Sequence, residues 1–66
     1  MRITLNGREE ILKDGTTLTE LVSLKQLNIG EVIVVYNHQL AKKESWPNIV
    51  LKENDGLEFL RFVGGG

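Results

Sequence analysis

The chain has 66 residues, 41% of them hydrophobic and 26% charged, which is too apolar for a disordered segment and enough for one small core burying about 60% of the unfolded surface. Eight Lys and Arg against nine Asp and Glu give a formal net charge of -1, so no basic excess draws the chain to nucleic acid or to an anionic membrane. The absence of cysteine and the single histidine, His38, exclude disulfides, thiolate metal sites and a catalytic thiol within these residues.

Met1, Ile3 and Leu5 alternate with Arg2, Thr4 and Asn6, the period of a half-buried strand. This opening lacks the charged and hydrophobic regions of a signal peptide, and no run is long enough to span a bilayer, so cytoplasmic residence is expected. Asn6 and Gly7 supply the left-handed positions of a hairpin. A two-residue loop places Ile3 opposite Glu10, whereas a three-residue loop over Asn6, Gly7 and Arg8 places it opposite Ile11. The second register is preferred because it pairs two apolar residues. The returning strand runs from Glu9 to Lys13 and ends at the Asp14-Gly15 turn.

Thr17 and Glu20 fit a capping box at the start of an amphipathic helix from about Leu18 to Leu27, whose apolar stripe is Leu18, Leu21, Val22 and Leu24. Asn28 or Gly30 can take the left-handed conformation that ends it, with Ile29 folding back onto the last turn. Val32 to Tyr36 is the most strand-like segment of the chain. Asn37 and His38 form the turn into a short strand at Gln39 to Ala41, which makes His38 a solvated surface residue rather than a ligand. Lys42, Lys43 and Glu44 read as a solvated edge whose charges block edge pairing. Trp46, held extended by Pro47, packs as a lid on the core.

Asn54, Asp55 and Gly56 mark the last turn, before a strand from Leu57 to Val63. Leu57, Phe59, Arg61 and Val63 share one face of that strand, and Glu58, Leu60 and Phe62 the other. With one helix to cover a small sheet, some of Leu60, Phe62 and Val63 are expected at the surface. The alternative is a central strand with both faces in the core.

Gly64, Gly65 and Gly66 follow this strand directly. Lacking Cβ atoms, they can thread extended through a channel too narrow for any other residue and present a carboxylate to a partner. Ordering them costs roughly 1–2 kcal/mol per residue, so the partner must also grip the folded body. The division expected is a folded domain over residues 1–63 and a flexible tail over 64–66. The order of elements fits an α+β fold, a mixed four- to five-stranded sheet with one main helix across it, in which the apolar first and last strands pair centrally and in parallel.

The opening strand with its Asn6 turn, Val35-Tyr36-Asn37 continuing to Trp46, the Asp55 turn with Leu57-Glu58, and the ending Phe62-Val63-Gly64-Gly65-Gly66 resemble the sulfur carrier proteins of thiamin thiazole biosynthesis, the ThiS type of the ubiquitin-like β-grasp family. The resemblance runs essentially end to end. Lys42 stands where a proline is expected and Asn54 where a turn glycine is usual, and neither touches the tail. The resemblance implies that the chain is not an enzyme but a protein co-substrate. Its Gly66 carboxylate would be adenylated by an E1-like adenylating enzyme using ATP and magnesium, then loaded with sulfur from a donor such as a cysteine desulfurase. The resulting thiocarboxylate would go to thiazole synthase. No cofactor or metal is implied for this chain itself. Gly64 and Gly65 would thread the partner's channel, and Leu60, Phe62 and Val63 would form the docking face. Alternatives on the same fold are sulfur delivery to molybdopterin or transfer RNA and isopeptide conjugation; an alternative of another class is a non-catalytic interaction module with an inert tail.

Overall fold

The computed structural model describes residues 1–61. The expected end of the last strand at Phe62 and Val63, and the glycine tail with its boundary at 63/64, lie outside these residues. The strands are β1 (Arg2–Leu5), β2 (Arg8–Ile11), β3 (Val32–Tyr36), β4 (Gln39–Ala41) and β5 (Gly56–Arg61), with one α-helix, α1 (Leu18–Leu24), and two 3-10 turns at Ile29–Glu31 and Lys43–Asn48. They form a single sheet in the order β2-β1-β5-β3-β4. As the apolar character of the first and last strands predicts, β1 and β5 lie side by side in parallel, while the other neighbours are antiparallel.

One face of the sheet is closed by α1 and the second 3-10 turn. Ile3 and Leu5 from β1, Val32 and Val34 from β3, and Leu57 and Phe59 from β5 are buried against Leu18, Leu21 and Val22 of the helix, with Trp46 and Leu51 completing the core. Trp46 is 2% exposed, and its indole N–H donates to the Ala41 carbonyl at 2.9 Å, so the ring is buried without orphaning its polar atom. The expectation that Pro47 holds Trp46 extended fails, because both residues lie inside the 3-10 turn. Lys43 and Glu44 belong to that turn rather than to a strand edge, with Lys42 as its N-cap, although all three are exposed as expected. Burial of the indole outweighs the modest preference of a pre-proline residue for extended backbone.

The first hairpin differs from its expected register. The loop has two residues, and Ile3 faces Glu10 while Ile11 pairs with Arg2. Asn6 and Gly7 both take positive φ, at 52° and 81°, and a two-residue loop of this kind matches the right-handed twist of the strands it joins. Turn geometry therefore outweighs the pairing of Ile3 with Ile11, and Ile11 is left 72% exposed. Opposite Ile3, Glu10 is held in an ion pair, its carboxylate 2.8 Å from the Lys25 ammonium beyond the helix end.

The helix begins as its sequence predicts. Thr17 Oγ1 accepts from the Glu20 N–H at 3.2 Å and the Glu20 carboxylate accepts from the Thr17 N–H at 2.8 Å. Its end comes three residues earlier than the expected Leu27, and neither Asn28 nor Gly30 turns left-handed. Gln26 does so, at φ 56°. The Gln26 N–H donates to the Ser23 carbonyl and the Leu27 N–H to that of Val22, which is the Schellman pattern, with half-buried Leu27 in the place where an apolar residue packs back on the helix. Ile29, expected to do this, is 46% exposed, and Asn28 instead caps the following 3-10 turn through its side chain, accepting from the Gly30 N–H at 2.9 Å.

These two helix ends predict opposite responses. Thr17→Ala should lower unfolding stability by about 1 kcal/mol, whereas Gln26→Gly should raise it by about 1 kcal/mol by relieving a left-handed side-chain residue. Urea denaturation with unchanged m-values checks both; equal midpoints for the two variants would contradict the assignment.

Candidate functional site

The strand that precedes the glycines is the best-fastened element of the fold. β5 has β1 on one side, with Thr4 against Gly56 and Leu5 against Leu57. On the other it has β3, in register from Val32 against Arg61 to Tyr36 against Leu57. Both hairpin turns also reach it through asparagine side chains. Asn37, at φ 49°, accepts the Gly56 N–H on Oδ1 at 2.8 Å, while its own N–H donates to the Gly56 carbonyl at 2.8 Å. Asn6 accepts the Phe59 N–H on Oδ1 at 2.8 Å.

The entry to β5 is fixed by Asp55, which is 7% exposed. Its carboxylate accepts from the Tyr36 hydroxyl at 2.7 Å, from Asn37 Nδ2 at 3.1 Å and from the Lys52 N–H at 2.8 Å. Burial alone pushes the Asp55 carboxyl up, but these three donors and the nearby Lys52 charge outweigh it, and the group lies below its ordinary value of 3.8. Tyr36 moves the other way. Burial first, then its hydrogen bond to Asp55 and that carboxylate's charge, push its hydroxyl from 10.0 up to about 12. Among the described residues no buried side-chain polar atom lacks a partner.

Opposite the helix the sheet is open. Leu60 is 49% exposed, as one sequence reading expects, and is paired with Ile33, which is 37% exposed. Half-buried Val35 faces Glu58 on β5 and Leu40 on β4, and Leu40 is 66% exposed. These pairings put Leu60, Ile33, Val35 and Leu40 on one uncovered apolar face. Of the sequence-predicted docking residues, Leu60 is therefore placed at the surface, while Phe62 and Val63, and likewise Gly64, Gly65 and Gly66, lie outside the described residues. Ile33 and Leu40 were missed. The alternation of Val32 to Tyr36 carries the signal for Ile33, once Val32 and Val34 are assigned to the core. Among the described residues no three His, Asp or Glu side chains gather as a metal site, and no helix is long and apolar enough to cross a membrane.

A mixed five-stranded sheet with parallel central strands and one helix across it defines a ubiquitin-like β-grasp protein. Residues 2–66 match the model of the ThiS family, and the chain belongs to that family. The sulfur carrier protein ThiS of Bacillus subtilis (strain 168) is 35% identical over 65 residues, spanning 97% of this chain and 98% of that protein. The crystal structure of a thiamine biosynthesis protein (ThiS) from Geobacter metallireducens matches with a TM-score of 0.86 at 33% identity, covering 100% of both chains. A thiazole synthase of Magnetococcus marinus is 33% identical over 66 residues, which is 100% of this chain and 20% of that protein.

The Asp55–Tyr36 pair predicts the pH dependence of folding. A lowered carboxyl stabilises the fold above its unfolded value, so that contribution should disappear as pH falls from 3.8 through the folded value. The raised hydroxyl contributes below pH 10.0, and its contribution should vanish as pH rises towards about 12. Urea midpoints against pH should fall at both ends in the wild type. Asp55→Asn should flatten the acid limb and Tyr36→Phe the alkaline one; unchanged limbs in both variants would refute the coupling.

Proposed function

We propose that this chain is a cytoplasmic sulfur carrier for thiazole formation in thiamin biosynthesis. The observation that carries the proposal is the match to the ThiS family over residues 2–66, Gly66 included. The sulfur carrier of Bacillus subtilis, matched nearly end to end, supports the chemistry. The likeness of this whole chain to a segment of a thiazole synthase supports the acceptor.

The chemistry follows from what a terminal carboxylate lacks. Ionised at neutral pH, it is a poor electrophile. An E1-like adenylating partner, with ATP and magnesium, lets a Gly66 carboxylate oxygen attack the α-phosphorus and expel pyrophosphate, leaving an acyl-adenylate. The terminal sulfur of a donor persulfide, supplied by an enzyme such as a cysteine desulfurase, then displaces AMP to give an acyl persulfide. A partner thiol supplies two electrons to cleave the S–S bond and becomes part of a disulfide, and the thiocarboxylate is released. Its sulfur is the nucleophile delivered to thiazole synthase. The nucleotide site and the thiols belong to the partners, and this chain supplies the carboxylate, the narrow Gly64-Gly65 spacer and the docking face. Leu60 anchors that face with Ile33, Val35 and Leu40, and Phe62 and Val63 are the further docking residues of this reading.

Intact mass spectrometry after incubation with the activating enzyme, ATP and the sulfur donor should show one oxygen replaced by sulfur at the C-terminus. An unaltered carboxylate under these conditions would reject the sulfur-carrier role and favour a passive interaction module. A thiocarboxylate whose sulfur passes to molybdopterin or transfer RNA, and not to thiazole synthase, would reassign the acceptor. Gly65→Ala and Gly66→Ala should leave the fold intact and lower the kcat of adenylation by about tenfold or more, because a Cβ misplaces the carboxylate. Leu60→Asp should instead raise KM for the carrier by about tenfold, as loss of one central apolar anchor implies.

A further inference from the structure

β1 ends before β5 does. The parallel ladder runs through Thr4 with Gly56 and Leu5 with Leu57, and the Asn6 N–H donates once more, to the Leu57 carbonyl at 2.9 Å. There the backbone turns away from β5 through Asn6 and Gly7, at φ 52° and 81°, and returns as β2 on the far side of β1. β5 continues from Glu58 to Arg61 without a β1 backbone beside it. β3 holds its other edge as far as Arg61.

The Asn6 side chain fills the next rung. Its Oδ1 accepts the Phe59 N–H at 2.8 Å, and its Nδ2 donates to the Phe59 carbonyl at 3.4 Å. Both polar backbone groups of Phe59 are thus met by one primary amide, in place of the main-chain carbonyl and N–H that a longer parallel β1 would offer from two of its residues. Successive residues of a strand direct these groups to alternate edges. Among the described residues Phe59 is therefore the last position of β5 held from the β1 side. Two chemical demands coincide at Asn6. The turn requires a residue that tolerates positive φ, which Gly, Asn and Asp do. The rung requires a short side chain with both an acceptor and a donor, which among these only Asn provides.

We propose that Asn6 is a positioning residue for sulfur loading: by standing in for a β1 residue against Phe59, it fixes the register and direction in which β5 delivers the following residues to the activating partner. The inference rests on the sulfur-carrier reading. Asn6 acts through the strand and not on the reacting carboxylate, so it should influence catalytic positioning and not docking. The apolar face of Leu60, Ile33, Val35 and Leu40 is untouched by its substitution.

The test uses the full 66-residue chain. Asn6→Gly keeps the turn and removes the rung, whereas Asn6→Asp keeps the acceptor for the Phe59 N–H and sets a carboxylate oxygen, in place of the Nδ2 donor, against the Phe59 carbonyl. For Asn6→Gly the expected result is near-wild-type global stability, faster hydrogen exchange at the Phe59 amide, and a fall of about tenfold in the kcat of adenylation at unchanged KM for the carrier, in line with the cost of small misplacements at a reacting centre. Asn6→Asp, which keeps one of the two bonds, should retain Phe59 N–H protection and lose less kcat than Asn6→Gly. A wild-type kcat in Asn6→Gly would overturn the proposal, as would unchanged Phe59 exchange. Global unfolding of Asn6→Gly would overturn it too, since the amide would then support the whole sheet and not one strand. If the wild-type chain is not adenylated at all, the sulfur-carrier reading falls. The Phe59 exchange measurement needs no partner and still decides whether the clamp exists.

Discussion

Everything in this fold is arranged around the parallel contact between β1 and β5. Two strands from opposite ends of the sequence meet in only two residue pairs, Thr4 with Gly56 and Leu5 with Leu57. A parallel pair cannot be joined by a tight turn, so the chain between must leave the sheet and come back. α1 lies in that crossover and covers the core face. Each central strand then takes an antiparallel neighbour, β2 beside β1 and β3 beside β5, and β4 completes the sheet beyond β3.

So short a ladder needs reinforcement, and the side chains that supply it come from turns. Asn37 closes on Gly56 at the start of β5, Asn6 on Phe59 further along, and Asp55 gathers Tyr36, Asn37 and the Lys52 amide beneath the entry. In a 66-residue chain the core alone provides a thin margin of stability. Directional bonds from residues already committed to tight turns add order to the sheet at little further entropic cost.

What was legible in the sequence was local or strongly patterned. The capping box of Thr17 and Glu20, the β-branched run of Val32 to Tyr36 and the asparagine turns each specify themselves within a few residues, and the apolar first and last strands pointed to their pairing. The first hairpin's register was misread because the attraction of Ile3 for Ile11 was weighed above the twist of a two-residue turn. The helix end was misread because Gln26 carries none of the usual signs of a left-handed residue; its conformation is imposed by Leu27 returning to the core. Of the candidate site, Leu60 was legible from alternation in the last strand. Ile33 and Leu40 were not, because their place beside it depends on the register of β3 against β5 and β4, which no local pattern encodes. The family assignment was legible through short motifs spread along the chain, including the terminal glycines.

The central position of β5 also has a mechanical consequence. Tension applied beyond Arg61 along the strand axis does not peel an edge strand away one hydrogen bond at a time. It loads the bonds to β1, Asn6 and β3 together, in shear, and the strand can slip only if all of them give at once. Whatever load reaches β5 is thus borne by the part of the sheet most resistant to pulling, while the short outer strands bear little of it.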